Sequence, residues 1–285
     1  MKTILITGIN GFLGSHLAKT LKFQYEIIGL EYSINNLHRI ADEDFLVYSS
    51  EEIVNVFKEN KIFGIIHAAT LYKREKTPLK KVLNTNIVLP INLYELAVKN
   101  DVKVFLNTDS FFNSSEYNYS FLPEYTLSKK HVIEWLKLIK HANCKVVNMK
   151  IFHMYGFHDA ENKFIPQMLK AMLNNTPYVQ TTKGEQTRDF IYIDDVVSAY
   201  ALVLKSLDKE VQDFSEYEIG TGTAITIKDF LLKMKAITNS NTEIQFGTLE
   251  YRDNEIMSSK ANTLKLESLG WQPKFNIAKG LMKLI

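Results

Sequence analysis

The amino-acid sequence predicts an α/β fold of the Rossmann type, a doubly wound parallel sheet with a smaller C-terminal substrate-binding lobe. Short apolar runs rich in β-branched residues alternate with longer helical stretches through the first half of the chain. Such alternation is typical of a parallel sheet covered by helices on both faces. A glycine-rich loop directly follows the first apolar run, which is where such folds bind dinucleotides. We expect a dinucleotide-binding domain at residues 1–150 and a substrate lobe at residues 151–285, partly interwoven with it.

The individual strands and helices follow from the spacing of apolar residues. We predict strands at Ile4–Ile6, Ile27–Leu30, Ile62–His67, Val102–Leu106 and Val146–Lys150. We predict helices at Ser15–Lys22, Ser49–Asn60, Leu83–Lys99 and Tyr125–His141. Turn-rich stretches appear from about residue 151 onward, so the second half is expected to form the smaller lobe.

Charge and cysteine content exclude several classes of protein. The formal net charge is +2, which provides neither a basic surface for nucleic acid nor a polybasic membrane anchor. The apolar run at the N-terminus stops at Gly8, too early for a signal peptide or a membrane span. One cysteine, Cys144, cannot form an intrachain disulfide, and the His and Cys residues lack the spacing of a zinc site. We therefore expect a cytoplasmic protein without a metal ion.

The glycine-rich loop runs from Gly8 to Gly14, between the first predicted strand and the first predicted helix. Glycine permits a tight turn and lets the pyrophosphate of a dinucleotide approach the backbone. The helix N-terminus that follows offers free N–H groups and the positive end of a dipole to phosphate oxygens. We expect the loop to bind the cofactor through Gly8, Asn10, Gly11, Phe12, Leu13 and Gly14.

The choice of cofactor is predicted from the end of the second strand. Glu31 stands there, close to the ~20-residue offset at which an acidic side chain holds ribose hydroxyls. A carboxylate favours NAD(H) and repels the 2′-phosphate of NADP(H), whereas an arginine such as Arg39, together with Ser33, accommodates that phosphate. We expect NAD(P)H, with a slight preference for NAD(H) from Glu31.

A tyrosine and a lysine four residues apart indicate acid–base chemistry. Tyr125 and Lys129 lie one turn apart on a predicted helix, so their side chains share a face. A free phenol has a pKa of ~10, and a nearby ammonium group is expected to lower that pKa toward the working range. The strand before this helix ends in the hydroxyl-bearing run Thr108–Ser110.

With the glycine loop, the Tyr-x-x-x-Lys pair and the hydroxyl-bearing strand end, the chain resembles the extended short-chain dehydrogenase/reductase superfamily of sugar-nucleotide epimerases, dehydratases and reductases. This resemblance implies that Thr108 hydrogen-bonds the reacting sugar oxygen, that Tyr125 transfers the proton and that Lys129 holds the nicotinamide ribose. It also implies that residues after the third predicted strand and in the central helix line the cofactor, namely His67, Ala68, Ala69 and Asn86.

Two later segments resemble the sugar-nucleotide site of the same superfamily. The segment Gly184–Asp195 contains Arg188 and the segment Tyr251–Asp253 contains Arg252, and the resemblance implies that both arginines contact the diphosphate. A planar guanidinium suits that role because it binds phosphate oxygens in pairs, although a surface salt bridge is the alternative for each arginine. The residues expected at the substrate are Asp109, Ser110, His153, Asn162, Lys163, Arg188 and Arg252.

The end of the strand that carries Thr108 separates the reactions of the superfamily. Dehydratases that resemble this chain have Thr-Asp-Glu, whereas this chain has Thr108–Ser110 without the glutamate. A serine hydroxyl cannot serve as the acid for loss of hydroxide. Three segments together resemble reductases of CDP-linked 4-keto-deoxyhexoses, which make dideoxy sugars for bacterial O-antigens in lipopolysaccharide; they are Phe105–Phe112, Glu161–Pro166 and Arg252–Met257. This resemblance implies an NAD(P)H-dependent reduction of the 4-keto group of a nucleotide sugar.

Two other functions remain open from the sequence. A nucleotide-sugar 4-epimerase with bound NAD would use the same three catalytic residues, and Glu31 is compatible with it. A non-catalytic dinucleotide-binding scaffold is the alternative from another class, but such proteins commonly lose the tyrosine or the lysine.

The helix Tyr125–His141 is also expected to contribute to a homodimer, since in the superfamily this helix usually builds one. Its sequence has an apolar stripe beside the face of the tyrosine and the lysine. The stripe consists of Val132, Ile133, Leu136 and Ile139.

Overall fold

The computed structural model describes residues 1–114, 121–207 and 212–285, and these residues divide into two compact units. The first unit comprises Met1–Asn113, Phe121–Lys150 and Tyr200–Tyr217. The second consists mainly of Ile151–Ala199 and Glu218–Ile285. The chain thus passes from the first unit to the second after Lys150, returns to the first after Ala199 and enters the second again after Tyr217. That the first unit binds the dinucleotide and the second the substrate stays a prediction.

Strands and helices alternate over the first half of the chain. The strands are β1 Thr3–Thr7, β2 Glu26–Glu31, β3 Leu46–Ser49, β4 Ile62–His67, β5 Val104–Ser110, β6 Lys145–Ile151, β7 His153–Tyr155, β8 Tyr178–Thr181, β9 Thr187–Arg188, β10 Phe190–Tyr192, β11 Phe214–Ile219, β12 Ile225–Thr226, β13 Glu243–Phe246 and β14 Ser258–Ser259. The α-helices are α1 Phe12–Leu21, α2 Ile53–Glu59, α3 Leu79–Leu83, α4 Leu89–Lys99, α5 Pro123–Ile139, α6 Phe164–Leu173, α7 Ile193–Lys205, α8 Ile227–Thr238, α9 Leu264–Ser268 and α10 Ile277–Met282. In the described part of the chain, each helix is too short or too polar to cross a membrane.

Within the described residues, seven strands form the central sheet, in the order β11-β6-β5-β4-β1-β2-β3. The neighbours from β3 to β5 all pair in parallel. The five predicted strands lie in this sheet, so the Rossmann-type α/β fold is confirmed. The sequence analysis missed β3 and β11. β3 is short and lies at the edge of the sheet, where Leu46 is exposed, so it lacks the continuous apolar character of a buried strand.

The core of the first unit consists of strand residues that are apolar on both faces of the sheet. Leu5 of β1, Ile65 of β4 and Phe105 of β5 are fully buried. Leu93 of α4 and Leu136 of α5 belong to the same buried cluster. Full burial of an apolar side chain of this size contributes about 1.5–3 kcal/mol relative to exposure. This packing fixes α5 and its catalytic candidates relative to β5.

The apolar stripe of α5 that we expected at a dimer interface is part of this core. Val132, Ile133 and Leu136 are buried in the cluster, and Ile139 packs against it. The prediction for this stripe was wrong because periodicity shows that a helix has an apolar face but does not identify what covers it. The exposed apolar side chains of α5 are instead Leu127, Trp135 and Leu138.

The second unit contains small sheets rather than one large one. β7 pairs in parallel with β10, β9 lies between β12 and β14, and β8 pairs with β13. Asp189, which lies between β9 and β10, accepts hydrogen bonds from the backbone N–H groups of Thr221, Gly222 and Ala261 at 2.8, 2.9 and 3.1 Å. This buried carboxylate ties three separate segments together directly beside Arg188.

Candidate functional site

The predicted cofactor and catalytic residues of the first unit lie at the carboxyl ends of adjacent strands. The glycine loop follows β1, Glu31 ends β2, and His67 ends β4. Thr108 lies near the end of β5, the next strand in the sheet. The carboxyl ends of parallel strands meet at one edge, outside which open α/β sheets bind their ligands. The structure therefore places these residues along one sheet edge.

The glycine loop has the close backbone packing that excludes side chains. Gly8 has a φ of +66°, and a Cβ atom there would lie 2.8 Å from the Cα of Ala69. A Cβ atom at Gly14 would lie 2.0 Å from the carbonyl oxygen of Gly8. Helix α1 then begins at Phe12, and its N-cap residue, Gly11, has no side chain that could cap the helix. These groups fit the pyrophosphate of a dinucleotide.

Glu31 is oriented by the glycine loop. Its carboxylate accepts hydrogen bonds from the backbone N–H groups of Asn10 and Tyr32, each at 3.1 Å. Arg39 is bound to the same loop, since its backbone N–H donates to Oδ1 of Asn10 at 2.9 Å and its Nη1 to the Asn10 carbonyl at 3.3 Å. A carboxylate and a guanidinium cation therefore both bind Asn10. Both groups bear on the choice between NAD(H) and NADP(H).

His67 is buried rather than open to a ligand. Its Nδ1 lies 2.9 Å from Oγ1 of Thr7, and its ring stacks on Phe105 with the centroids 6.1 Å apart. Oγ1 of Thr7 also accepts the N–H of Ala69 at 3.1 Å. Burial lowers the pKa of His67 to about 3, so the ring is neutral. Oγ1 of Thr7 therefore connects the His67 ring with the loop of Ala68 and Ala69, whose residues are half-buried.

Asn86 lies in a π-helical segment, Asn84–Val88, between α3 and α4. Its Nδ2 donates to the carbonyl of Leu71 and to Oγ of Ser128, each at 2.9 Å. Its Oδ1 accepts the backbone N–H of Leu71 at 2.8 Å. The amide thus ties the loop after β4 to helix α5, one residue before Lys129.

The three predicted catalytic residues come together at the end of β5. Tyr125 and Lys129 are buried on α5, where the Nζ of Lys129 lies 5.9 Å from the centroid of the Tyr125 ring. The same Nζ donates to the backbone carbonyl of Thr108 at 2.7 Å. The lysine therefore links the helix that carries the phenol to the strand that carries the hydroxyl.

The electrostatics of Tyr125 differ from the expectation. Burial raises the pKa of this phenol well above its usual value, Tyr72 and Asp109 raise it further, and a hydrogen bond with Ser110 lowers it. Burial also lowers the pKa of Lys129 to about 8, against the opposing effect of Asp109. The prediction that the pKa of the phenol is lowered toward the working range was wrong for this structure, because desolvation is the largest effect and raises the pKa. The phenol of Tyr125 therefore keeps its proton in this environment.

Two tyrosines at this site were missed by the sequence analysis. The ring of Tyr72 lies against that of Tyr125, with the centroids 4.5 Å apart. The hydroxyl of Tyr200 lies 2.8 Å from Oγ1 of Thr108. Tyr200 follows Thr108 by 92 residues and belongs to no motif, so the sequence contains no signal for this contact.

Asp109 is held inside the first unit by side-chain amides. Its Oδ2 accepts hydrogen bonds from Asn113 at 2.9 Å and from Asn148 at 2.8 Å. The Nδ2 of Asn148 also donates to Glu216 at 2.7 Å, and Glu216 forms a 2.8 Å ion pair with Lys150. Burial raises the pKa of Asp109 despite these bonds. A substrate contact of Asp109 stays a prediction, but its carboxylate already has these partners.

Arg188, in the second unit, is buried and engaged by protein groups. It forms an ion pair with Glu255 and donates to the carbonyls of Thr187 at 2.8 Å and of Ile256 at 2.5 Å. Arg188 thus forms the salt bridge that was the alternative to a diphosphate contact, but in a buried position, because only 9% of the residue is accessible to solvent. Its role toward a diphosphate stays a prediction.

The other predicted substrate residues of the second unit have varied surroundings. Nε2 of His153 lies 2.7 Å from Oγ of Ser259, and burial, with the nearby charge of Arg188, lowers the pKa of this histidine well below its usual value. Lys163 forms a 2.7 Å ion pair with Asp159 at the start of α6. Two further predicted residues, Asn162 and Arg252, are exposed.

The described residues contain no group of three or more His, Cys, Asp or Glu side chains that could hold a metal ion.

Comparisons with known proteins agree over nearly the whole chain. The model of the NAD dependent epimerase/dehydratase family matches residues 4–220. A CDP-abequose synthase of Salmonella muenchen is 38% identical, with 100% of this chain and 97% of that protein covered. A CDP-abequose synthase of Salmonella typhimurium is 35% identical, with coverage of 99% and 97%.

Among solved structures, a UDP-glucose 4-epimerase of Thermotoga maritima, determined with UDP-glucose, has a similar fold. The TM-score is 0.84 at 22% sequence identity, and the match covers 99% of this chain and 96% of the other. At that identity the likeness concerns the fold alone.

Proposed function

The chain belongs to the NAD dependent epimerase/dehydratase family, and from this premise we propose that it reduces the 4-keto group of a CDP-linked deoxyhexose with NAD(P)H. The observation that carries the proposal is the full-length likeness, at 35% and 38% identity, to two CDP-abequose synthases. This likeness extends over both units, whereas the epimerase is related at much lower identity.

The first unit is proposed to hold the dinucleotide. The N–H groups at the start of α1, reached through Gly8, Gly11 and Gly14, would bind the pyrophosphate. Glu31 would accept the adenosine ribose hydroxyls, and the loop after β4 and the ammonium group of Lys129 would line the nicotinamide side. When bound, the reduced cofactor supplies the hydride.

The residues at the end of β5 are proposed to handle the proton. Tyr125 donates its phenolic proton to the sugar oxygen as charge develops on it. Thr108 donates a hydrogen bond to the same oxygen and fixes its position. Lys129, bound to the carbonyl of Thr108, supplies positive charge close to the phenol.

The second unit is proposed to bind the nucleotide sugar. Arg188 and Arg252 would contact the diphosphate, the group for which a guanidinium is best suited. Asn162 and Lys163 lie just before and at the N-cap of α6, and they are proposed to contact the sugar nucleotide as well. His153 is proposed to face the sugar, and so is Ser110 of the first unit.

The biological setting is proposed from the same relatives. A CDP-abequose synthase-like reductase would act in dideoxy-sugar synthesis for O-antigen and lipopolysaccharide, and we expect it in the cytoplasm as a homodimer.

The exposed side chains Leu127, Trp135 and Leu138 of α5 would give the proposed dimer an apolar surface. Trp135→Glu should convert the dimer to a monomer in light scattering. Glu134→Lys, an exposed change next to it, is the control, and a monomeric wild type would refute the dimer.

A turnover assay tests the proposed reaction. The protein is mixed with a CDP-4-keto-3,6-dideoxyhexose, and loss of nicotinamide absorbance is followed with NADH and with NADPH separately. Rapid oxidation with one of them, giving the 4-hydroxy sugar, supports the reductase and identifies the preferred cofactor. The absence of oxidation, with interconversion of finished CDP- or UDP-sugars instead, would refute the reductase in favour of a 4-epimerase.

A further inference from the structure

Two hydroxyl groups meet at the end of β5. Oγ1 of Thr108 lies 2.8 Å from the hydroxyl oxygen of Tyr200, a residue of α7 that is fully buried in the first unit. In the described part of the chain, Tyr200 is the one side chain that hydrogen-bonds the Thr108 hydroxyl. The backbone carbonyl of Thr108 is occupied separately by Lys129. The orientation of the Thr108 proton therefore depends on Tyr200.

The direction of this hydrogen bond decides what Thr108 can offer to a substrate. A threonine hydroxyl has one proton and two lone pairs. If Thr108 donates its proton to Tyr200, only lone pairs remain for the substrate. If Tyr200 donates instead, the proton of Thr108 is free to point toward the substrate. A ketone oxygen, and the alkoxide formed from it, has no proton and can only accept.

The surroundings favour donation by Tyr200. A phenol is a stronger acid than an aliphatic alcohol, so it is the stronger hydrogen-bond donor of the two. Burial raises the pKa of Tyr200, the hydrogen bond with Thr108 lowers it, and the negative charge of Asp109 raises it; the net shift is upward, so the phenol keeps its proton. A hydroxyl that accepts a hydrogen bond also becomes a better donor in its own right, because successive bonds polarise one another.

We propose that Tyr200 is a positioning residue for catalysis, which donates a hydrogen bond to Oγ1 of Thr108 and so directs the Thr108 proton toward the sugar oxygen. This inference rests on the proposed reduction, since a substrate alcohol that is being oxidised would itself be the donor. Tyr200 thus extends the catalytic cluster by a group that does not contact the substrate.

A double-mutant cycle tests the pair through turnover. Tyr200→Phe removes the hydroxyl and keeps the ring, and we expect kcat to fall about tenfold with little change in KM for the sugar nucleotide. Thr108→Val should lower kcat by about 100-fold, as does loss of other donors to a developing oxyanion. The double variant should be no slower than Thr108→Val, because Tyr200 then has no hydroxyl to orient.

Tyr94→Phe is the matched control for the loss of a buried phenol. Tyr94 is 1% exposed, and its hydroxyl donates to the carbonyl of Cys144 at 2.9 Å and accepts the N–H of His141 at 2.8 Å. This variant should lose thermal stability to a similar extent while keeping the wild-type kcat. A kcat for Tyr200→Phe equal to that of Tyr94→Phe, or further slowing by Tyr200→Phe in the Thr108→Val background, would overturn the proposal.

Thermal unfolding of the same four proteins separates this inference from the proposed function. If the two hydroxyls bond each other, Tyr200→Phe should lower the melting temperature less in the Thr108→Val background than in the wild type. Equal losses would overturn the hydrogen bond itself. If the wild type epimerises nucleotide sugars and reduces none, the proposed function fails, and the kinetic cycle is then measured on that reaction. If Tyr200→Phe then lowers the rate of epimerisation tenfold where Thr108 is intact, and not in the Thr108→Val background, Tyr200 has the positioning role in an epimerase.

Discussion

Two regions of the molecule position their functional candidates in different ways. One is the carboxyl edge of the sheet in the first unit, and the other is the arginine site of the second unit, by which we mean Arg188 and its partner Glu255. At the sheet edge, main-chain groups position the key residues: Lys129 binds the carbonyl of Thr108, and Glu31 binds the N–H of Asn10. In the second unit, Arg188 is held by the carboxylate of Glu255 as well as by the main-chain carbonyls of Thr187 and Ile256. The sheet edge thus relies on main-chain groups, whereas the surroundings of Arg188 add an ion pair between side chains.

This difference bears on what each region can do on binding a ligand. Groups fixed by the main chain are pre-organised and gain little by rearranging, which suits acid–base chemistry. A buried arginine that is paired with one carboxylate would have to share or exchange that partner to bind a diphosphate. If it exchanged the partner, the carboxylate would be left as an uncompensated buried charge. We therefore expect substitutions at the sheet edge to act on kcat and those at the arginine site to act on KM.

The largest effect is expected from removal of the phenolic hydroxyl at the sheet edge. Tyr125→Phe should lower kcat by about 10³-fold, because general acid catalysis contributes about 10² to 10⁴ and the buried phenol is the proposed donor. KM for the nucleotide sugar should change little, and steady-state kinetics with both substrates measure the two constants. Tyr72→Phe, which keeps the ring against Tyr125, should cost less than tenfold. A Tyr125→Phe enzyme within tenfold of the wild type would assign the proton to another group.

At the arginine site, Arg188→Lys should raise KM for the nucleotide sugar by about 30-fold and leave kcat within about threefold. The substitution keeps the positive charge but loses the planar fork that binds phosphate oxygens in pairs. Arg252→Lys, at an exposed position, should raise KM by less than tenfold. An unchanged KM in Arg188→Lys, with only a lower melting temperature, would make Arg188 a structural partner of Glu255 and nothing more.

The sequence predicted the sheet edge well because its features are local. A glycine loop after β1, an acid at the end of β2 and a Tyr-x-x-x-Lys pair on α5 each need only a few adjacent residues, and the parallel sheet brings the ends together. Two kinds of feature escaped prediction. Contacts between distant segments, such as that of Tyr200 with Thr108, have no motif. The balance between burial and charge at Tyr125 depends on packing that is known only once the chain is folded.

The preference for NADH or NADPH tests whether Glu31 binds the adenosine ribose at the sheet edge. Glu31→Gln removes the negative charge and keeps a side chain of the same shape beside Asn10. We expect the ratio of kcat/KM for NADPH to that for NADH to rise about tenfold, because the repulsion of the 2′-phosphate is lost. Adding Arg39→Met should reverse most of that gain, since Arg39 is the cation bound to the same loop. A ratio that Glu31→Gln leaves unchanged would indicate that the ribose binds away from β2.

The smallest expected effect is on how strongly the free energy of unfolding depends on pH. The buried His67 at the sheet edge should make this dependence steeper. Folding lowers the pKa of His67 to about 3, so between pH 6.5 and 5.5 the unfolded chain takes up a proton that the folded chain does not. Stability is therefore lost as the pH falls, by about 1 kcal/mol over this interval for one such histidine. Denaturant unfolding at the two pH values should show this loss in the wild type and a smaller loss in His67→Asn. His153→Asn is the counterpart in the second unit, where burial also lowers the pKa. An equal loss in His67→Asn and the wild type would mean that His67 is protonated in the folded protein, and the contact with Thr7 would then need a charged ring.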